Sequence, residues 1–66
     1  MSIEEKHLND CHEDIINAMA QAHEEFGIEM SNKEYDRLET LKRYGETMKA
    51  LGEALIHVEK ALIDFF

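Results

Sequence analysis

The chain has 66 residues, with seven Lys and Arg residues against fifteen Asp and Glu residues, one Cys and no Pro. A formal charge of −8 argues against a general phosphate-binding surface, because such surfaces use Lys and Arg to neutralise phosphates. We therefore expect no binding to duplex nucleic acid or to an anionic membrane. A single domain below ~70–80 residues gains only about 3–5 kcal/mol from its core, so a disulfide, a metal or a partner should add stability.

Cysteine content and hydropathy predict a cytoplasmic protein. Cys11 has no second Cys to pair with, which fits a reducing compartment. No apolar run approaches the ~18–20 residues of a membrane span. The segment from Met1 to Glu5 also lacks the basic and apolar regions of a signal peptide.

The first predicted helix covers residues 2–26. Ser2 and Glu5 fit a capping box, in which each side chain satisfies a backbone N–H of the first turn. Gly27 suits the left-handed residue that often ends a helix. Between these signals the apolar residues recur at helical spacing and form one stripe: Leu8, Cys11, Ile15, Ala18, Met19, Ala22 and Phe26.

The second predicted helix covers residues 31–64, where Ser31 and Glu34 form another capping-box pattern. Apolar residues fill the a and d positions of four consecutive heptads, a pattern typical of helices that pack along a seam. These positions are Leu41, Tyr44, Met48, Leu51, Leu55, Val58, Leu62 and Phe65. Because the loop between the helices is short, we predict an all-α, antiparallel helical hairpin.

The unequal lengths of these helices predict self-association. At 1.5 Å per residue the first helix spans about 36 Å and the second about 50 Å. The shorter helix would leave five apolar residues uncovered: Val58, Leu62, Ile63, Phe65 and Phe66. A second copy would cover them, most simply in a dimeric four-helix bundle whose interface contains the a and d residues. A higher closed oligomer, or a C-terminal tail that docks another protein, are the alternatives.

Charge is divided unequally along the chain. Residues 1–32 hold one Lys against eight acidic residues, so the first helix is strongly acidic. Glu13, Glu24 and Glu25 are candidates for docking a basic protein partner, which an acidic surface would steer towards itself. The alternative is that these side chains form an ordinary solvated helix face.

Residues 33–49 form a basic band, with five basic residues against four acidic ones. Tyr35, Lys42 and Lys49 share one heptad position, and Arg43 follows Lys42. Together they are candidates for holding a small phosphate-bearing ligand between subunits. The alternative is ordinary pairing along the helix, such as Glu39 with Arg43.

Catalytic and metal chemistry find little support in the sequence. His7, Cys11 and Asp14 can share a helix face, but no second group of ligands completes a metal site. Cys11 lies on the apolar stripe, where a free Cys acts as a small hydrophobic residue. We therefore predict no catalytic residues, no metal and no cofactor.

The sequence thus predicts a non-enzymatic, acidic, helical homo-oligomer that binds and modulates, or inhibits, a macromolecular partner. Two alternatives remain open. One is an oligomer that sequesters a small anionic ligand between its subunits. The other is a purely structural assembly protein.

Overall fold

A computed structural model describes residues 2–65 and contains two helices, α1 (Ile3–Ser31) and α2 (Arg37–Ile63). Residues 32–36 connect them, and the helices pack side by side in opposite directions. The resulting hairpin is elongated, with extents of 48 × 15 × 13 Å. The predicted all-α hairpin is confirmed, and residues 2–65 contain no strand.

The predicted start of α1 is confirmed. Ser2 has an extended backbone, and its Oγ accepts a hydrogen bond of 3.1 Å from the Glu5 amide. Glu4 and Glu5 lie in the first turn, where a negative charge is favourable beside the positive end of the helix dipole.

The predicted end of α1 at Phe26 is wrong. The helix continues through Gly27 to Ser31, and Gly27 does not adopt a positive φ. A glycine inside a helix costs about 1 kcal/mol relative to Ala, which neighbouring contacts can offset. Here the additional turn places Glu29 beside Arg43 of α2, where the two side chains form an ion pair, and leaves Met30 half-buried.

The predicted start of α2 at Ser31 is also wrong. Ser31 belongs to α1, and its Oγ donates to the carbonyl of Gly27, four residues earlier. Asp36 caps α2 instead, because its Oδ1 accepts hydrogen bonds from the amides of Leu38 and Glu39 at 3.0 and 3.2 Å. Asn32 has an extended backbone and ends α1.

These corrected boundaries remove the uncovered C-terminal segment. The helices contain 29 and 27 residues, so each is about 40–44 Å long and covers the other. Leu8 and Phe65 line the same depression at the open end of the hairpin. Val58 and Leu62 are half-buried, Ile63 and Phe65 stay 65% and 39% exposed, and Phe66 lies outside the described residues.

The hairpin has no buried apolar core within residues 2–65. Thr40, with 3% of its surface exposed, is the only buried residue among them. The apolar residues along the contact between the helices are half-buried at most. Cys11 is exposed, so its predicted place on a buried stripe is wrong.

The two candidate caps of α2 can be separated by mutation. Replacing Asp36 with Ala should destabilise the protein by about 1 kcal/mol, because two amides of the first turn lose their acceptor. Replacing Ser31 with Ala should have a smaller effect, because the Ser31 hydroxyl only adds a bond to a carbonyl inside α1. Urea denaturation at one fixed protein concentration measures both effects, and a larger loss for Ser31→Ala would contradict this assignment.

Candidate interaction surfaces

The helices are joined most closely near the connecting segment. Phe26 of α1 and Tyr44 of α2 stack with ring centroids 4.2 Å apart and an interplanar angle of 16°. His23 Nδ1 lies 3.2 Å from the Tyr44 hydroxyl, within hydrogen-bonding distance. This aromatic contact fixes which side of each helix faces the other.

Two further contacts mark the two sides of the hairpin. On one side, His12 Nε2 lies 3.3 Å from a carboxylate oxygen of Glu59. On the other side, Arg43 donates to Glu29. Because side chains three or four residues apart share a helix face, each contact identifies the residues that lie on its own side.

The side that contains His12 and Glu59 is mostly apolar. Counting by helical turns from these two residues gives the residues that share their side of each helix. We call the apolar members of this set the apolar face: Ile16 and Met19 of α1, and Leu41, Gly45, Met48, Gly52, Leu55, Ile56 and Ile63 of α2. Glu5, Asn9 and His23 of α1 share this side. The exposed fractions are 44% for Ile16, 52% for Leu41, 52% for Ile56 and 65% for Ile63. Large apolar side chains, most of them on α2, thus meet solvent on this side of the single chain.

Two glycines open the surface of this face. A Cβ atom built on Gly45 or Gly52 would meet no heavy atom within 4 Å, so contacts within the hairpin do not require glycine there. Each glycine costs about 1 kcal/mol of helix stability relative to Ala. Because the space beside both glycines is open, their backbone is accessible to a neighbouring helix.

The side that contains Glu29 and Arg43 is acidic. Counting by helical turns from these residues gives the acidic face: Asp14, Glu25 and Glu29 of α1, and Glu39, Glu46 and Glu53 of α2. The line of the three α2 residues turns gradually towards the outer edge of the helix, where Lys42 and Lys49 lie three or four residues from them. Five of the six are exposed, and Glu29 is half-buried. The three acidic residues of α2 recur every seven residues. This spacing is visible in the sequence, but the predicted acidic docking surface was limited to the first helix.

The eight residues predicted for an oligomer interface are divided by the fold. Tyr44 contacts α1, and Leu51 and Val58 follow it at intervals of seven residues on the same side. The other heptad positions turn towards the apolar face, where Leu41 is exposed and Met48 is half-buried. Leu55 and Leu62 are half-buried as well, and Phe65 is 39% exposed.

The residues predicted to bind a phosphate-bearing ligand are only partly brought together. Lys42 and Lys49 lie on one exposed edge of α2, about 10 Å apart along the helix axis. Tyr35 lies in the connecting segment and is 47% exposed. Arg43 is on the opposite side of α2, paired with Glu29. The ligand site stays a prediction.

The three predicted docking residues also separate. Glu25 lies on the acidic face and accepts a hydrogen bond of 3.3 Å from Gln21 Nε2. Glu13 and Glu24 lie on the edge of α1 that points away from α2, by their helical spacing from the contact residues. All three side chains are exposed.

Residues 2–65 contain neither a cluster of metal ligands nor a helix that could cross a membrane. Within that range no group of three or more His, Cys, Asp and Glu residues is arranged to hold a metal ion. Neither α1 nor α2 is apolar enough over its length to cross a membrane.

Comparison of the chain with models of protein families, with curated proteins and with solved structures found no match.

Proposed function

We propose that the protein is a non-enzymatic homo-oligomer that binds and modulates a macromolecular partner with a basic surface. The observation that carries this proposal is the two-sided hairpin, with an apolar face on one side and an acidic face on the other. The apolar face suits self-association, and the acidic face suits the partner.

The exposure of the apolar face supports self-association. Full burial of an Ile or Leu side chain is worth about 1.5–3 kcal/mol. In the single hairpin, Ile16, Leu41, Ile56 and Ile63 each leave 44% or more of their surface in water. A contact that covered these four residues would recover much of this free energy.

The total surface supports the same proposal. A compact protein of 7.7 kDa is expected to expose about 4,300 Å². The hairpin exposes 5316 Å², about a fifth more. This excess of exposed surface arises because two helices packed side by side have no interior. Association of hairpins would reduce the exposed surface of each chain.

The acidic face supports a basic partner. Glu39, Glu46 and Glu53 are exposed along α2, and Arg43, one turn after Glu39, is already paired with Glu29. A surface of one charge attracts oppositely charged partners over a distance of about 8–10 Å at physiological salt and accelerates their association. An oligomer that uses its apolar face leaves the acidic face available on every subunit.

Self-association is tested by two matched substitutions in α1. Ile16→Glu places a charge on the apolar face and should shift the protein towards monomer. Ile28→Glu is the control, because Ile28 is 63% exposed and points away from both α2 and the apolar face. Sedimentation equilibrium measures the mass of each variant, and a wild-type protein that stays monomeric at all concentrations would contradict the proposal.

Partner binding is tested by charge reversal on the acidic face. Glu46→Lys should weaken capture of the partner and reduce the dependence of that capture on salt, because the substitution removes a negative charge and adds a positive one. Glu34→Lys, in the connecting segment, makes the same change in net charge away from this face. Pull-down from the native host with quantitative mass spectrometry compares the two variants, and equal capture by both would argue against docking on the acidic face.

A further inference from the structure

The apolar face and the charges along its edges point to one particular pairing of two hairpins. We propose that the apolar face is covered by a second copy of the chain whose two-fold axis runs parallel to the long axis of the hairpin. In this dimer α1 of each copy lies on α2 of the other. The inference rests on the self-association proposed above and specifies its geometry.

The size of the face is sufficient for a stable dimer. The hairpin measures 48 × 15 Å when viewed onto its broad side, a projected footprint of roughly 700 Å². Stable protein interfaces bury about 800 Å² of accessible surface on each partner, and accessible surface exceeds the projected footprint because side chains are uneven. A second hairpin therefore matches the face in length and area.

Two face-to-face pairings with two-fold symmetry are possible. With the axis parallel to the helices, α1 packs on α2 of the second copy. With the axis perpendicular to the helices, α1 packs on α1 and α2 packs on α2. The two pairings bury the same apolar residues, so the charges decide between them.

The helices differ greatly in charge. Within α1 there is one Lys against eight acidic residues, whereas α2 holds five basic residues and four acidic ones. Packing α1 on α1 would bring two strongly acidic helices together and would cost free energy. Packing α1 on α2 avoids this repulsion.

The outer edges of the apolar face have opposite charges. Glu13 and Glu24 outnumber Lys6 on the outer edge of α1, and Lys42, Lys49 and Lys60 outnumber Glu53 on the outer edge of α2. With the axis parallel to the helices, the α1 edge of one copy runs beside the α2 edge of the other. The perpendicular axis would instead place the like-charged edges beside each other.

The acidic residues of one edge and the lysines of the other also lie at matching positions along the helix axis. The His12 to Glu59 and Glu29 to Arg43 contacts show that Glu24 is level with Glu46 in the same chain. A two-fold axis parallel to the helices leaves each residue at the same position along that axis in both copies. Glu24 therefore comes between Lys42 and Lys49 of the second copy, within about 6 Å of each along the axis. By the same count, Glu13 comes beside Lys60.

Charge reversal along the edges tests the proposal. The Glu13→Lys, Glu24→Lys double variant and the Lys42→Glu, Lys49→Glu double variant should each raise the dissociation constant of the dimer by about tenfold or more at low salt. A mixture of the two variants should recover wild-type affinity, because unlike edges meet again. If each variant alone associated as well as the wild type, the proposed pairing would be overturned.

The direction of the axis is tested by distances between spin labels. In a Cys11→Ser background, a label on Lys33→Cys marks the connecting segment. The proposed dimer brings both labels to the same end, below about 30 Å apart, because packed helices lie 8–10 Å apart. The perpendicular axis would separate them by more than about 40 Å along the 48 Å hairpin.

A label on Asn17→Cys, near the middle of the hairpin, is the control, because both pairings keep it within about 35 Å of its copy. Sedimentation of the labelled proteins should give twice the chain mass of 7.7 kDa. A dimer with distant Lys33 labels would overturn the pairing and keep the proposed self-association. A monomer would overturn both, and an oligomer of another size would overturn the two-fold pairing alone.

Discussion

Two helices packed side by side have no interior, and this constraint governs the whole protein. Each helix can turn only one narrow stripe towards the other, so the large side chains of that contact remain close to solvent. Thr40 is fully covered because it is small and lies at the tight end of the hairpin, whereas the larger Tyr44 and Leu51 are only half-buried. The stability that a larger domain takes from its core comes here from local helix signals and a few paired side chains, and the proposed self-association would add to it.

The sequence predicted the helices well because their signals are periodic. The heptads from Leu41 to Phe65 fixed the type and phase of α2, and Ser2 fixed the start of α1. The boundaries between the helices could not be obtained in the same way. Ser31 and Asp36 are both followed three residues later by Glu, so the local pattern fits either cap. The observed boundary places Glu29 on the last turn of α1, where it pairs with Arg43, and this contact between distant residues is not visible in the local pattern.

The error at this boundary also affected the argument for self-association. Moving residues 31–36 out of the second helix and extending the first helix to Ser31 makes the two helices nearly equal in length, so neither extends far beyond the other. The surplus apolar surface did not disappear, because it lies along the side of the hairpin rather than at its end. The heptad pattern contained this surface, but only the stacking of Tyr44 on Phe26 shows which half of the pattern faces α1. The acidic residues of α2 could have been recognised from their spacing alone.

The positions of the contacts between the helices have a consequence for the order of folding. The Glu29 to Arg43 pair spans 14 residues, His23 to Tyr44 spans 21, and His12 to Glu59 spans 47. Closing a short loop costs less conformational entropy than closing a long one, so contacts near the connecting segment form first and the helices close towards their free ends. Formation of the hairpin is a local event within one chain, whereas covering the apolar face in the proposed dimer would be a slower event that depends on concentration. At low protein concentration the chain would therefore remain a monomeric hairpin with an exposed apolar face. The proposed dimer would cover that face only as the protein concentration rises.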